Sequence, residues 1–348
     1  PDKALEITQG KLGNSGGGDT DFKTITCNGD DDATIDIEVD GGTPDGDGKY
    51  SYQWIKSANA DFTDGDEVAF STDQDLTDIG PGYYKVTVTD SNGCTKSPDD
   101  PYDPFIVTEP DDLSLTETIS ELNGFNITCF GDNDGKIDID VIGGTGVYTY
   151  QWTKSINADF TDGDEVAYST DKNIADLGPG WYRITVTDSN SCTLVKEFPE
   201  IKEPPEIVLS FSTKNYNVFD VSCNGAVDGE ITLQVDGGVP DYTYSWERYL
   251  GGLKGVGVKD DDFSANTKDL KNLKAGAYYV TVTDANLCPK VSDALVIEEP
   301  PPIIFTVELS DFNGKNISCF GFDDGKIEIE VNGGFLSPGE TYKYEWRK

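Results

Sequence analysis

The stretch CFGDNDGKIDIDVIGG, residues 129–144, decides the fold. Ile137, Ile139 and Val141 alternate with Asp138 and Asp140, so every second side chain points the same way. One apolar and one acidic face make a half-buried antiparallel strand. Gly143-Gly144 ends that strand, and Cys129 opens the turn-forming segment ahead of it. The stretch recurs as CNGDDDATIDIEVDGG from Cys27, CNGAVDGEITLQVDGG from Cys223 and CFGFDDGKIEIEVNGG from Cys319. The inward positions become Ile35, Ile37 and Val39, then Ile231, Leu233 and Val235, then Ile327, Ile329 and Val331. A stretch that returns at a near-constant interval signals tandem modules.

Two further anchors repeat in step. Y-x-Y-x-W places Tyr50, Tyr52 and Trp54 on one strand face, then Tyr148, Tyr150 and Trp152, then Tyr242, Tyr244 and Trp246, then Tyr342, Tyr344 and Trp346. G-x-Y-x-V-T-V-T-D follows with Tyr84 and Asp90, Tyr182 and Asp188, and Tyr278 and Asp284. A second cysteine comes after the next turn, at Cys94, Cys192 and Cys288. Each full copy closes on an acidic-Pro junction: Glu109-Pro110, Glu203-Pro204 and Glu299-Pro300. The domains read as 1–110, 111–204 and 205–300, with 301–348 a partial fourth copy that stops before the third anchor. Short alternating strands between turns predict an all-β chain of tandem immunoglobulin-like antiparallel β-sandwiches in an elongated array. Trp54, Trp152, Trp246, Trp346, Tyr84, Tyr182 and Tyr278 are the expected core aromatics.

Composition narrows the chemistry. The chain has 348 residues, 38 Gly and 17 Pro, which suits several turn-rich domains. Its formal net charge is -39, from 65 acidic and 26 basic residues. That charge repels phosphate backbones and anionic membranes, so neither nucleic acid nor membrane insertion is expected. No apolar run is long enough to span a bilayer. The sequence starts at Pro1 without Met or signal peptide, so a piece of a longer protein is expected. There is no His, which removes Ser-His-Asp and Cys-His nucleophiles and His-ligated zinc. Carboxylate pairs could serve a glycosidase, but the acids here alternate with apolar residues as on a solvated sheet face.

Seven cysteines fall as one early and one late residue per full repeat, with Cys319 left over. In an oxidising compartment they are expected to pair. Within-repeat bridges, Cys27–Cys94, Cys129–Cys192 and Cys223–Cys288, are preferred because modules usually fold as units. Each would stabilise by about 4 kcal/mol in the chain-entropy account. The other scheme is Cys94–Cys129, Cys192–Cys223 and Cys288–Cys319.

Two ligand readings stand beside plain structural ones. The loop DFTDGDE occurs twice, offering Asp61, Asp64, Asp66 and Glu67, and Asp159, Asp162, Asp164 and Glu165, as oxygen ligands for Ca²⁺. The same residues are ordinary turn formers. Trp181 takes the outward position held by Tyr83 and Ala277 in the other copies, and is the candidate for an exposed contact with a sugar.

The three anchors together, C-x-G-x-x-D-G-x-I, G-G-x-x-x-Y-x-Y-x-W and G-x-Y-x-V-T-V-T-D-x-N-x-C, closed by I-x-E-P, resemble the SprB repeat of a gliding-motility adhesin of Bacteroidota. Ala33 departs from the pattern, where the other copies have Gly. The resemblance implies a non-enzymatic stalk of a large surface filament, exported by the type IX secretion system. Such a filament would be moved by the gliding machinery and attach to external surfaces or glycans. The alternative is a tandem carbohydrate-binding module of a secreted enzyme.

Overall fold

The computed structural model describes residues 3–9, 25–62, 65–98, 104–160 and 163–347. Among them there is no helix, and so none that could cross a membrane. The chain divides into two compact units, residues 1–120 with 135–201 and residues 121–134 with 202–348.

In the first unit, repeat 1 contributes β1 (Glu6–Gln9), β2 (Ala33–Ile35), β3 (Ile37–Asp40), β4 (Ser51–Ser57), β5 (Val68–Ser71), β6 (Leu76–Ile79), β7 (Gly82–Thr89), β8 (Thr95–Lys96) and β9 (Phe105–Val107). β1 pairs with β3, and β2 with β6. The order β5-β4-β7-β8, with β9 also on β7, forms the facing sheet. Repeat 2 adds β10 (Ser114–Ile119), β11 (Gly135–Ile142), β12 (Thr149–Ser155), β13 (Val166–Ser169), β14 (Ile174–Leu177), β15 (Trp181–Thr187) and β16 (Thr193–Glu197). They make a three-stranded sheet, β10-β11-β14, and a four-stranded one, β13-β12-β15-β16.

In the second unit, repeat 3 contributes β17 (Val208–Thr213), β18 (Gly229–Asp236), β19 (Thr243–Leu250), β20 (Val258–Lys259), β21 (Leu270–Leu273), β22 (Gly276–Thr283), β23 (Pro289–Val291) and β24 (Leu295–Ile297). The pairing is the same: β17-β18-β21 in one sheet, and β20-β19-β22-β23 with β24 on β22 in the other. Residues 301–347 contribute only β25 (Ile304–Leu309) and β26 (Ile327–Asn332), paired to each other. Every pair is antiparallel.

Each anchor has a structural task. Trp54, Trp152 and Trp246 are buried, and each indole N–H donates 2.9 Å to a backbone carbonyl, of Asp73, Asp171 and Thr267. That bond removes the cost of burying the N–H. The Tyr84, Tyr182 and Tyr278 hydroxyls donate to the carbonyls of Gly80, Gly178 and Lys274 at 2.8, 2.9 and 2.8 Å. This is the tyrosine corner of immunoglobulin-like sandwiches. Burial drives all three phenols up in pKa. The Gly-Gly pair clasps the incoming strand. Gly144 N–H donates to Asp111 O and Gly238 N–H to Pro205 O, both at 2.8 Å. A Cβ at Gly143 would sit 1.9 Å from Asp112 O, so only glycine allows the approach.

Trp346 departs from its expected core role: it is 63% exposed. In the other copies the third anchor pairs with this strand, and among the described residues no such strand lies against Trp346.

Candidate functional site

The chain's distinctive chemistry lies where one repeat meets the next. The structure contains Cys27–Cys192 and Cys129–Cys288, with Cα separations of 5.6 and 5.7 Å. Cys94, Cys223 and Cys319 are free and exposed. Both expected pairing schemes are therefore corrected. The early cysteine of one repeat bonds the late cysteine of the following repeat, and Cys94 and Cys223 are unbonded.

Strand direction explains the register. The early cysteine precedes the alternating strand of its repeat, β2 and β3 in repeat 1, β11 in repeat 2 and β18 in repeat 3. That strand ends at Gly-Gly, where the late turn also lies: Asp90 Oδ2 accepts from Thr43 N–H at 3.0 Å, directly after Gly41-Gly42. The early loop lies at the other end with the closing junction, where Gly29 N–H donates 2.7 Å to Glu109 Oε2. A strand of β7's length separates the two ends by about 25 Å, whereas a disulfide needs Cα atoms within about 7 Å. The junction hands the chain to the Gly-Gly end of the next repeat, which brings the next late cysteine to this early one.

The two halves of the joint are built by carboxylates. In the early loop, a backbone N–H is stitched to an Asp six residues on: Thr26 to Asp32, Thr128 to Asp134, Ser222 to Asp228 and Ser318 to Asp324, at 2.9–3.1 Å. The hydroxyls of Thr26, Ser222 and Ser318, together with these backbone bonds, hold Asp32, Asp228 and Asp324 below the usual carboxylate range. The junction Glu clamps the loop's Gly N–H: Glu203 on Gly131 and Glu299 on Gly225, both at 2.6 Å. In the late turn, Asp188 Oδ1 accepts from Asn190 and Cys192 N–H, both at 2.9 Å, while Oδ2 takes Thr145 N–H at 2.8 Å. Burial raises the Asp188 pKa, but the amide donors outweigh it and leave the group depressed. The amides of Thr43 and Cys94 do the same for Asp90.

An asparagine completes each occupied joint. Asn190 Nδ2 donates 3.0 Å to Thr26 O. Asn286 Nδ2 donates 2.9 Å to Thr128 O, and its Oδ1 accepts from Asn123 Nδ2 at 2.6 Å. Asn286 is only 6% exposed. The D-x-N-x-C text is thus a plug: Asp shapes it, Asn reads the neighbouring backbone and Cys locks it. Sequence reasoning passed over Asn190 and Asn286, although their spacing from Asp and Cys was visible.

Among the described residues, each acidic loop is tied together by one of its own carboxylates. Asp66 accepts from Ser57 Oγ and Ala58 N–H at 2.9 Å, and from Asn59 Nδ2 at 3.3 Å. Asp164 does the same for Ser155 Oγ, Ile156 N–H and Asn157 Nδ2. These carboxylates cap their own loop. Asp61 and Asp159 are exposed, and Glu67 and Glu165 half-buried. Asp64 and Asp162 lie outside the described residues. No cluster of three or more metal-binding side chains occurs among the described residues. Trp181 is half-buried at the start of β15, opposite Ser155.

These features define a tandem series of immunoglobulin-like sandwiches. The SprB repeat family model matches residues 20–59, 125–155, 215–249 and 312–347. An SprB-type repeat thus recurs at four places along the chain. No curated protein matches it. Among solved structures, it is similar to the three N-terminal domains of the bacteriophage RB49 highly immunogenic outer capsid protein, at 15% identity. That match covers 85% of this chain and 98% of the other, with a TM-score of 0.34. A tetra-tandem repeat from the extending region of a large adhesion protein matches at 11% identity, over 94% and 87% of the chains, with a TM-score of 0.28. The eight N-terminal Ig domains of the Down Syndrome Cell Adhesion Molecule match at 13% identity, over 94% and 46%, with a TM-score of 0.22.

Proposed function

We propose that this chain is a force-bearing shaft segment of a filamentous adhesin on a bacterial cell surface, with no catalytic role. The observation that carries the reading is the pair of overlapping disulfides, Cys27–Cys192 and Cys129–Cys288. Each crosses a repeat boundary, and the second begins inside the loop closed by the first. The shortest covalent route from Cys27 to Cys288 therefore runs through both disulfides and only the backbone between Cys129 and Cys192. A chain locked this way gains little length even when its sandwiches unfold. Each disulfide closes a loop of 165 or 159 residues and stabilises by about 5 kcal/mol in the chain-entropy account.

Disulfides also fit an outer-surface location. The charge of -39 keeps neighbouring shafts apart. On this reading the parent protein is a type IX secretion substrate, and its binding regions, carried by the gliding machinery, meet external surfaces or glycans. Single-molecule stretching tests the shaft role. Full reduction should lengthen the unfolded chain by roughly 200 residues, on the order of 70 nm at ~3.5 Å per residue. Equal contour lengths with and without reductant would contradict it.

A further inference from the structure

We infer that the early loop of repeat 3, around Cys223, is a preformed socket for the late D-x-N-x-C turn of a further SprB-type repeat, and locks it by a disulfide. The inference stands on the joint geometry and does not need the adhesive role.

The socket is already shaped. Ser222 N–H is stitched to Asp228 at 3.1 Å, Gly225 N–H is clamped by Glu299 at 2.6 Å, and Asn224 Nδ2 donates 3.1 Å to Pro300 O. The first loop has the same bonds to Asp32, Glu109 and Pro110, and there Cys27 is bonded. Asn217 holds the place of Asn123, and both have positive φ, 66° and 51°. Ser222 O stands where Thr128 O accepts from Asn286, and Cys223 where Cys129 is bonded. The cysteine is thus one member of a three-part recognition site whose counterparts are filled elsewhere in this chain.

The walls match too. At the filled joint a cavity of about 340 Å³ runs between Cys129, the Pro204–Ile207 stretch and Gly238, with Asp284 and Cys288 of the plug along its side. At Cys223 the counterparts Pro300–Ile303 and Gly334 line a cavity of about 760 Å³, without a plug. A turn carrying Asp, Asn and Cys fits the difference. Its Asn would donate to Ser222 O and accept from Asn217 Nδ2, leaving its sulfur beside Cys223. Cys319 sits in a loop of the same kind, stitched by Asp324. Cys94 follows Asp90 and Asn92, and is itself a plug.

The test is thiol exchange with a probe peptide, GAYYVTVTDANLCPKV (residues 276–291), carrying its cysteine as a mixed disulfide with glutathione. The Cys223 thiolate attacks the peptide sulfur, forms the new S–S bond and releases glutathione thiolate, with no net oxidation. In the 348-residue chain, Cys223 should capture this peptide about tenfold faster than the same peptide with Asn286→Leu. Cys94 should take both at one rate. Asn217→Ala in the protein should slow capture at Cys223 but leave its reaction with oxidised glutathione unchanged, which separates recognition from misfolding. Dimers linked without peptide, with oxidised glutathione taking the two electrons and leaving as two reduced glutathiones, should map to Cys94–Cys223 or Cys94–Cys319. Equal capture of both peptides at Cys223, capture at Cys94 matching Cys223, or dimers joined Cys223–Cys223 would each overturn the inference.

Discussion

Trp246 and Trp346 hold the same place in the Y-x-Y-x-W strand, yet one is 2% exposed and the other 63%. Much of the surrounding text is shared. Tyr242 and Tyr342 both donate to the first Gly of Gly-Gly, at 2.5 Å. Gly238 and Gly334 N–H both clasp the incoming strand, at 2.8 and 2.9 Å. What differs is the cross-strand partner. Trp246 lies opposite Val280 of β22, whereas Tyr344 and Trp346 line an open apolar cavity of about 420 Å³ with Phe305, Val307 and Ile329. The clasp and the first sheet form from nearby residues. Burial of the tryptophan is a long-range product of the third anchor.

Substitution at the two tryptophans should separate these contributions most sharply. Trp246→Ala should cost about 3–5 kcal/mol, read as lost hydrogen-exchange protection in β19 and β22. Trp346→Ala should stay within about 0.5 kcal/mol, as for a surface change. Equal effects would break the contrast. A smaller difference is expected between glycines. Gly237→Ala places a Cβ 1.9 Å from Glu206 O at φ 75°, and should cost about 2 kcal/mol or more. Gly314→Ala meets open space at φ 83°, and should cost about 1 kcal/mol, thermal unfolding being the readout.

The smallest effect concerns what the two regions share. Asp228 and Asp324 both stitch their early loop, and the Ser222 and Ser318 bonds depress both carboxyls. A depressed folded pKa contributes stability above the unfolded value near 3.9, lost as pH falls through the folded value. Carboxyl NMR titration should therefore place both below 3.9. An ordinary value for Asp324 alone would mean that its loop is not stitched as that of Asp228 is.

The three anchors made the strands, the Gly-Gly clasp and the repeat order legible in the sequence, because alternation and turn chemistry are local. Tyr84, Tyr182 and Tyr278 could be placed in the core because they recur at strand spacing. The disulfide register was not read, although the means were present. Counting strand reversals puts Cys27 at the junction end of repeat 1 and Cys94 at the Gly-Gly end. The preference for self-contained modules overrode that geometry. Asp66 and Asp164 are legible in the sequence as oxygen donors, but their bonds to the Ser57 and Ser155 hydroxyls depend on the loop's fold and are not. The exposure of Trp346 was not legible, because burial depends on a cross-strand partner distant in sequence and identical local text does not carry it.

Peptide mapping of the unreduced protein tests the stapled-repeat account most directly. Proteolysis without reductant should release peptides joined Cys27–Cys192 and Cys129–Cys288, with Cys94, Cys223 and Cys319 alkylated as free thiols. Peptides joined Cys27–Cys94 and Cys129–Cys192 would mean that each sandwich locks only itself, and would contradict the account.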